Sequence, residues 1–84
     1  MRYTVVWLPV AEAALTNLWL RAPDRQAVAD ACDRLDAALA NDPETKGRRL
    51  GKFFVREDAP LAVLYHVDSG DRMVRVIAVR RTAS

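Results

Sequence analysis

The sequence predicts a small α+β domain with the element order βααβββ, in which two N-terminal helices pack on a mostly antiparallel sheet. A short β-rich segment is followed by two stretches with helical spacing of apolar residues and then by three more β-rich segments. Helices and strands grouped in this way are typical of α+β folds. Because 84 residues suffice for only one core, we expect residues 1–84 to form a single domain.

The first strand and the first helix meet at a proline. Residues 3–7 are β-branched and aromatic, which is typical of a short strand. Pro9 suits the first turn of a helix, because its missing N–H needs no partner there. Apolar residues then recur at steps of three and four, so we expect a helix over residues 9–21 that Pro23 ends.

A second amphipathic helix follows Asp24, whose carboxylate should cap it by accepting hydrogen bonds from the free N–H groups of the first turn. One apolar stripe comprises Val28, Ala31, Cys32, Leu35, Ala38 and Leu39. The sequence Asn41-Asp42-Pro43 should end the helix, because it offers a residue that tolerates the left-handed conformation and then a helix breaker.

The second half of the chain predicts a basic loop and three strands. Residues 44–52 include the run KGRRLGK, which has two glycines but neither the spacing of a P-loop nor a following helix. Strand and turn signals alternate after it, with strands over residues 53–55, 61–67 and 73–80 and turns over residues 56–60 and 68–71.

The register of the last hairpin decides which side chains share a face. With Ser69-Gly70 at the centre of the turn, His66 lies opposite Met73 and diagonal to Arg75. An apolar face, which the helices should cover, comprises Leu61, Val63, Tyr65, Val74, Val76 and Ala78. The other face comprises Ala62, Leu64, His66, Met73, Arg75 and Ile77. Because an unpaired arginine is costly to bury, we expect this second face to be open to solvent or to a partner.

Charge and composition narrow the function classes. Residues 1–45 carry four arginines against seven acidic residues, a net charge of −3, whereas residues 46–84 carry nine lysines and arginines against four acidic residues, a net charge of +5. The basic half suggests a surface for a polyanion, although a solvated face has the same composition. One cysteine and one histidine predict no disulfide, no metal site and no cofactor. The apolar stretch VVWLPV is too short to span a membrane, so we expect a cytoplasmic protein without a membrane partner.

Several short patterns along the chain resemble the RelE/ParE superfamily, the toxins of type II toxin–antitoxin modules, also known as the plasmid stabilisation family. The patterns are Trp7 with Pro9-x-Ala11, Leu35 and Leu39 before Asp42-Pro43, Gly47 and Leu50, Val63-Leu64-Tyr65-x-Val67-Asp68, and Val76-Ile77-x-Val79-Arg80-Arg81. The resemblance covers nearly the whole chain and implies the same βααβββ fold. It also implies a toxin that a cognate antitoxin holds inactive.

The resemblance leaves two modes of action open. RelE-like toxins are endoribonucleases that cut mRNA in the ribosome, whereas ParE-like toxins inhibit DNA gyrase without nuclease activity. A non-toxic binding module is the third alternative. The oligomeric state, either a homodimer or a toxin–antitoxin hetero-oligomer, also stays open.

The candidate site residues follow from the open face and from the resemblance. Metal-free RNA cleavage needs a base and a cationic donor, for which His66 and Arg75 are suitable residue types. The alternative is that His66 is merely a polar residue at a strand end. The family's phosphate-binding arginine corresponds to Ala62 here, and its C-terminal tyrosine or histidine has no counterpart. Candidates for contacting RNA or a partner are Lys46, Arg48, Arg49, Lys52, Arg56, Arg80 and Arg81.

Overall fold

The computed structural model describes residues 2–82 of the chain. Its elements are the strand β1 (Thr4–Trp7), the helices α1 (Pro9–Arg21) and α2 (Arg25–Leu39), a 3₁₀ turn (Pro43–Thr45), and the strands β2 (Arg48–Leu50), β3 (Phe53–Asp58), β4 (Leu61–Asp68) and β5 (Met73–Arg81). Neither helix is long and apolar enough to cross a membrane.

One five-stranded sheet has the order β1-β5-β4-β3-β2. The first strand pairs in parallel with the last one, and the other neighbours are antiparallel. The predicted α+β class with two N-terminal helices is therefore confirmed. Four strands were predicted and five are present, because β2 lies where a basic loop was predicted. Its three residues, two of them arginines, are too few for a periodic signal.

The core lies between the helices and one face of the sheet. Buried helical residues are Ala11, Val28, Ala31, Leu35 and Leu39, and those of the sheet are Phe54, Leu61, Val63, Tyr65, Val74, Val76 and Val79. The predicted stripe of α2 thus packs on the predicted apolar face of the hairpin. Val79 replaces Ala78 in that face, because the pairing shifts by one residue at a bulge between Leu64 and Tyr65.

Two predictions about turns were wrong. The β3–β4 turn is narrower than residues 56–60, since β3 continues to Asp58. In the last hairpin, Asp68 lies opposite Met73, so the four residues 69–72 connect the two strands. The prediction had only Ser69 and Gly70 between the paired positions. The side chain of Asp68 accepts a hydrogen bond of 3.1 Å from the backbone N–H of Asp71, and Arg72 has a φ of 52°. This wider turn moves the register by two residues as far as the bulge, and the bulge adds one more residue beyond it.

The ends of α2 differ in how far they follow the prediction. Asp24 makes no capping hydrogen bond with its side chain, which is bound by Arg81. At the other end, Asp42 adopts the left-handed conformation with a φ of 49°, as expected, and Pro43 is buried. The Pro43 carbonyl accepts a hydrogen bond of 2.7 Å from the hydroxyl of Tyr65, which fixes the chain after α2 to the centre of the sheet.

Candidate functional site

One face of the sheet points away from the helices, and we call it the open face. Side chains alternate along a strand, so this face follows from the register with the buried residues. It comprises Thr4, Val6, Arg48, Leu50, Phe53, Val55, Glu57, Ala62, Leu64, His66, Asp68, Met73, Arg75, Ala78 and Arg80. Most of these side chains are exposed or half-buried, as the sequence predicted for the hairpin part of the face.

His66 and Arg75 lie directly opposite each other on β4 and β5. The predicted diagonal placement was wrong by two residues. The predicted faces were right from the turn to the bulge, because an even shift keeps each side chain on its side. Arg75 is not free, since its Nη1 lies 3.6 Å from Oδ2 of Asp68. The N–H of Asp71, with a further contribution from Arg75, holds the pKa of Asp68 below its usual value.

His66 also has an aromatic neighbour, Phe53, that the sequence patterns did not predict. The ring of Phe53 meets the imidazole edge-on, with 6.1 Å between the ring centroids and an angle of 70° between the planes. Nζ of Lys52 lies 5.6 Å from the centroid of the same phenyl ring. Pro60 is the sequence signal that could have predicted this neighbour. A turn centred on Ala59-Pro60 places Phe53 opposite His66 on the adjacent strand.

A depression of about 360 Å³ lies at the other end of the open face. Arg48 and Arg80 line it together with aliphatic side chains. Ala62, at the position where the resemblance implies an arginine, lies opposite Arg80 on β5 and is 2% exposed. The structure thus brings Arg48 and Arg80 to one site, separate from the pair of His66 and Arg75.

Lys46 and Arg56 do not lie on the open face. Nζ of Lys46 donates a hydrogen bond of 3.0 Å to the carbonyl of Asn41, and Nη1 of Arg56 donates one of 2.7 Å to the carbonyl of Lys46. Arg56 shares the helix-covered face with Phe54, and its buried Nε has no hydrogen-bond partner among residues 2–82. Both side chains hold the segment between α2 and β2 in place.

Arg49 and Arg81 also point to the helix side. The guanidinium of Arg49 lies 5.4 Å from the centroid of the Phe54 ring and donates to the Gly51 carbonyl. Nη2 of Arg81 binds both carboxylate oxygens of Asp24 at 2.7 and 2.9 Å. Of the nine predicted site residues, five therefore lie on or beside the open face: Arg48, Lys52, His66, Arg75 and Arg80.

Cys32 lies outside this site, in an apolar groove between α1 and α2 that Trp19 also lines. Burial, together with the nearby carboxylates of Asp36 and Asp33, raises the pKa of its thiol to about 11. A thiol in this state is a poor nucleophile, and Cys32 packs against the core as part of the predicted apolar stripe of α2.

No protein-family model matches the sequence, and no curated protein matches it either. Solved structures, in contrast, match the fold. The toxin–antitoxin complex RelBE2 from Mycobacterium tuberculosis aligns with a TM-score of 0.82 and 22% identity, over 100% of this chain and 95% of that one. The chromosomal ParDE system of P. aeruginosa aligns with a TM-score of 0.73 and 16% identity, over 98% of both chains.

The E. coli RelBE toxin–antitoxin complex is a third match, with a TM-score of 0.64 and 15% identity over 98% of this chain and 99% of that one. These likenesses span both the RelE and the ParE branches. They extend over almost the full length of each aligned chain, so the agreement concerns the whole arrangement of helices and sheet. The chain therefore has the fold of the RelE/ParE toxins.

Proposed function

We propose that this chain is the toxin of a type II toxin–antitoxin module and that a cognate antitoxin holds it inactive. The observation that carries the proposal is the likeness of the whole chain to the structures of the RelBE2, ParDE and RelBE systems. Ribosome-bound mRNA and DNA gyrase are the two candidate targets, and either one would place the protein in the cytoplasm.

The first candidate mechanism is metal-independent cleavage of mRNA. It is supported by the side-by-side position of His66 and Arg75 on the open face. In this mechanism the imidazole of His66 accepts the proton of a ribose 2′-OH, and the 2′ oxygen forms a bond to the adjacent phosphorus. Arg75 donates hydrogen bonds to the phosphate oxygens as their negative charge grows. The bond from phosphorus to the 5′ oxygen then breaks, and water supplies the proton to that leaving oxygen.

The second candidate is a toxin that acts by binding a protein, as ParE-like toxins bind gyrase. Two observations favour it over RNA cleavage. Ala62 occupies the position of the phosphate-binding arginine, and Asp68 already pairs with the guanidinium of Arg75. Both features reduce the positive charge available to a scissile phosphate.

Induced expression of the chain in bacteria tests the proposal and separates the two candidates. The wild type is compared with the double variant His66→Ala/Arg75→Ala and with a control of equal charge loss, Arg21→Ala, in α1. RNA cleavage predicts growth arrest that only the double variant relieves, together with mRNA cuts mapped by primer extension. Arrest by all three chains with intact mRNA supports protein binding, and normal growth with all three contradicts a toxin.

A further inference from the structure

A single row of side chains crosses all five strands of the open face. In the order of the strands it comprises Val6, Arg75, His66, Phe53 and Leu50. Because neighbouring strands lie about 5 Å apart, a phenyl ring, an imidazole and a guanidinium group follow one another at that spacing. Three groups of different chemistry therefore stand in line at the middle of the row.

Phe53 differs from the other aromatic residues in where its ring lies. Four of them pack on the helix side of the sheet, namely Tyr3, Trp7, Phe54 and Tyr65, and Trp19 lines the groove between the helices. Among residues 2–82, Phe53 thus carries the one phenyl, phenol or indole ring on the face of His66. Lys52 lies over this ring, but its side chain is exposed and flexible, so it does not close the ring off.

The order of groups in the row matches the order of groups in a ribonucleotide. Unpaired bases of RNA stack on aromatic side chains. When a base stacks on Phe53, the 2′-OH of its own ribose lies toward His66 and the 3′ phosphate lies toward Arg75. These are the contacts that the RNA-cleavage mechanism requires of the imidazole and the guanidinium group.

We propose that Phe53 is the base-binding residue of the open face and that the nucleotide whose 2′-OH attacks stacks on its ring. A purine offers a larger stacking surface than a pyrimidine, so the cut follows purines preferentially. The inference deepens the proposed function and rests on its first candidate, RNA as the substrate. Stacking needs no charge, so it supplies affinity that Ala62 and the ion-paired Arg75 do not.

The test is a titration of the isolated chain with adenosine 3′-monophosphate, followed by nuclear magnetic resonance. This nucleotide carries the base, the 2′-OH and the 3′ phosphate but no leaving group, so it binds without being cleaved. Ribose 3-phosphate, which lacks the base, and uridine 3′-monophosphate serve as comparisons. We expect the adenosine nucleotide to bind roughly tenfold more tightly than ribose 3-phosphate, with the uridine nucleotide between them.

Variants of Phe53 distinguish stacking from a structural role of the ring. Phe53→Leu should abolish the advantage of the adenosine nucleotide and leave the affinity for ribose 3-phosphate unchanged, whereas loss of a merely structural ring would weaken both ligands. Phe53→Tyr keeps an aromatic face and should keep the advantage. The matched control is Trp19→Leu, which removes an exposed ring from α1 and should also keep it. Circular dichroism should show folded proteins, because neither ring belongs to the buried core.

Several results would overturn the inference. It fails if ribose 3-phosphate binds as tightly as the adenosine nucleotide, or if Phe53→Leu keeps the difference between these ligands. It also fails if Phe53→Tyr or Trp19→Leu loses that difference as fully as Phe53→Leu does, or if no ligand binds.

The titration and the growth assay fail independently. Growth arrest without base-dependent binding removes this inference and leaves the toxin proposal standing. Base-dependent binding without growth arrest leaves the nucleotide site in place and contradicts the toxin.

Discussion

Asp24 and Arg81 lie 57 positions apart in the sequence and are joined through two hydrogen bonds, of 2.7 and 2.9 Å, from one guanidinium nitrogen to both carboxylate oxygens. The pair connects the start of α2 to the end of β5. It also explains why Asp24 does not cap its own helix, since the arginine occupies the carboxylate.

The first prediction concerns the pH dependence of this pair. The hydrogen bond from Arg81 lowers the pKa of Asp24 below its ordinary value of 3.8. The pair therefore stabilises the fold above that pH, and the contribution is lost as the pH falls through the lower pKa of the folded state. Asp24→Asn should reduce the thermal unfolding temperature slightly at pH 7. The difference from the wild type should disappear once the pH lies below the pKa of Asp24 in the folded state, because the carboxyl is then protonated. Asp33→Asn, on the exposed side of α2, is the control and should show no such dependence.

A second prediction concerns the buried hydroxyl of Tyr65. Tyr65→Phe leaves the Pro43 carbonyl without its hydrogen-bond donor, which should cost about 1–2 kcal/mol in the free energy of unfolding. Burial raises the pKa of Tyr65 from 10.0 to about 12. Wild-type stability should therefore fall as the pH rises from 10.0 to about 12, because the unfolded chain loses this proton first. Urea unfolding at several alkaline pH values checks this, and an equal fall in Tyr65→Phe would contradict it.

Gly47 supplies a third prediction, because it approaches the same tyrosine. A Cβ atom at this position would overlap the Tyr65 hydroxyl and lie 2.9 Å from the Val55 carbonyl. Gly47→Ala should therefore destabilise the fold by about 1–3 kcal/mol. The loss should be smaller in the Tyr65→Phe background, where the hydroxyl is absent, and a double-mutant cycle measures the difference. Additive losses would show that the hydroxyl is not the obstacle.

The fourth prediction uses Asp68 to distinguish between the two candidate targets. Asp68→Asn removes the negative charge beside Arg75, so binding of labelled single-stranded RNA at low salt should tighten about two- to fivefold if RNA is the target. Asp58→Asn is the matched control, because Asp58 pairs with Arg34 of α2, away from the open face. Equal tightening in both variants would indicate a general effect of net charge, and no tightening in either would favour a protein target.

The sequence predicted most where the deciding interactions are local. Helical periodicity and the prolines at positions 9, 23 and 43 define both helices. The alternation of side chains along the strands of the last hairpin identified the buried face of the sheet. The pairing of His66 with Arg75 depends on the length of the turn between them, which sequence patterns specify poorly. The bulge beside Leu64 and the edge strand β2 depend on pairing and packing with neighbouring strands. Neither feature has a periodic sequence pattern from which it could be predicted.

The parallel pairing of β1 with β5 has a consequence for synthesis on the ribosome. β1 is translated well before its partner, Met73–Arg81, because both helices and the strands β2 to β4 lie between them in the sequence. Until then β1 and the apolar stripes of both helices lack the strand that carries Val74 and Val76. The nascent chain should therefore complete its sheet only after β5 has been translated, whereas both helices are available long before that.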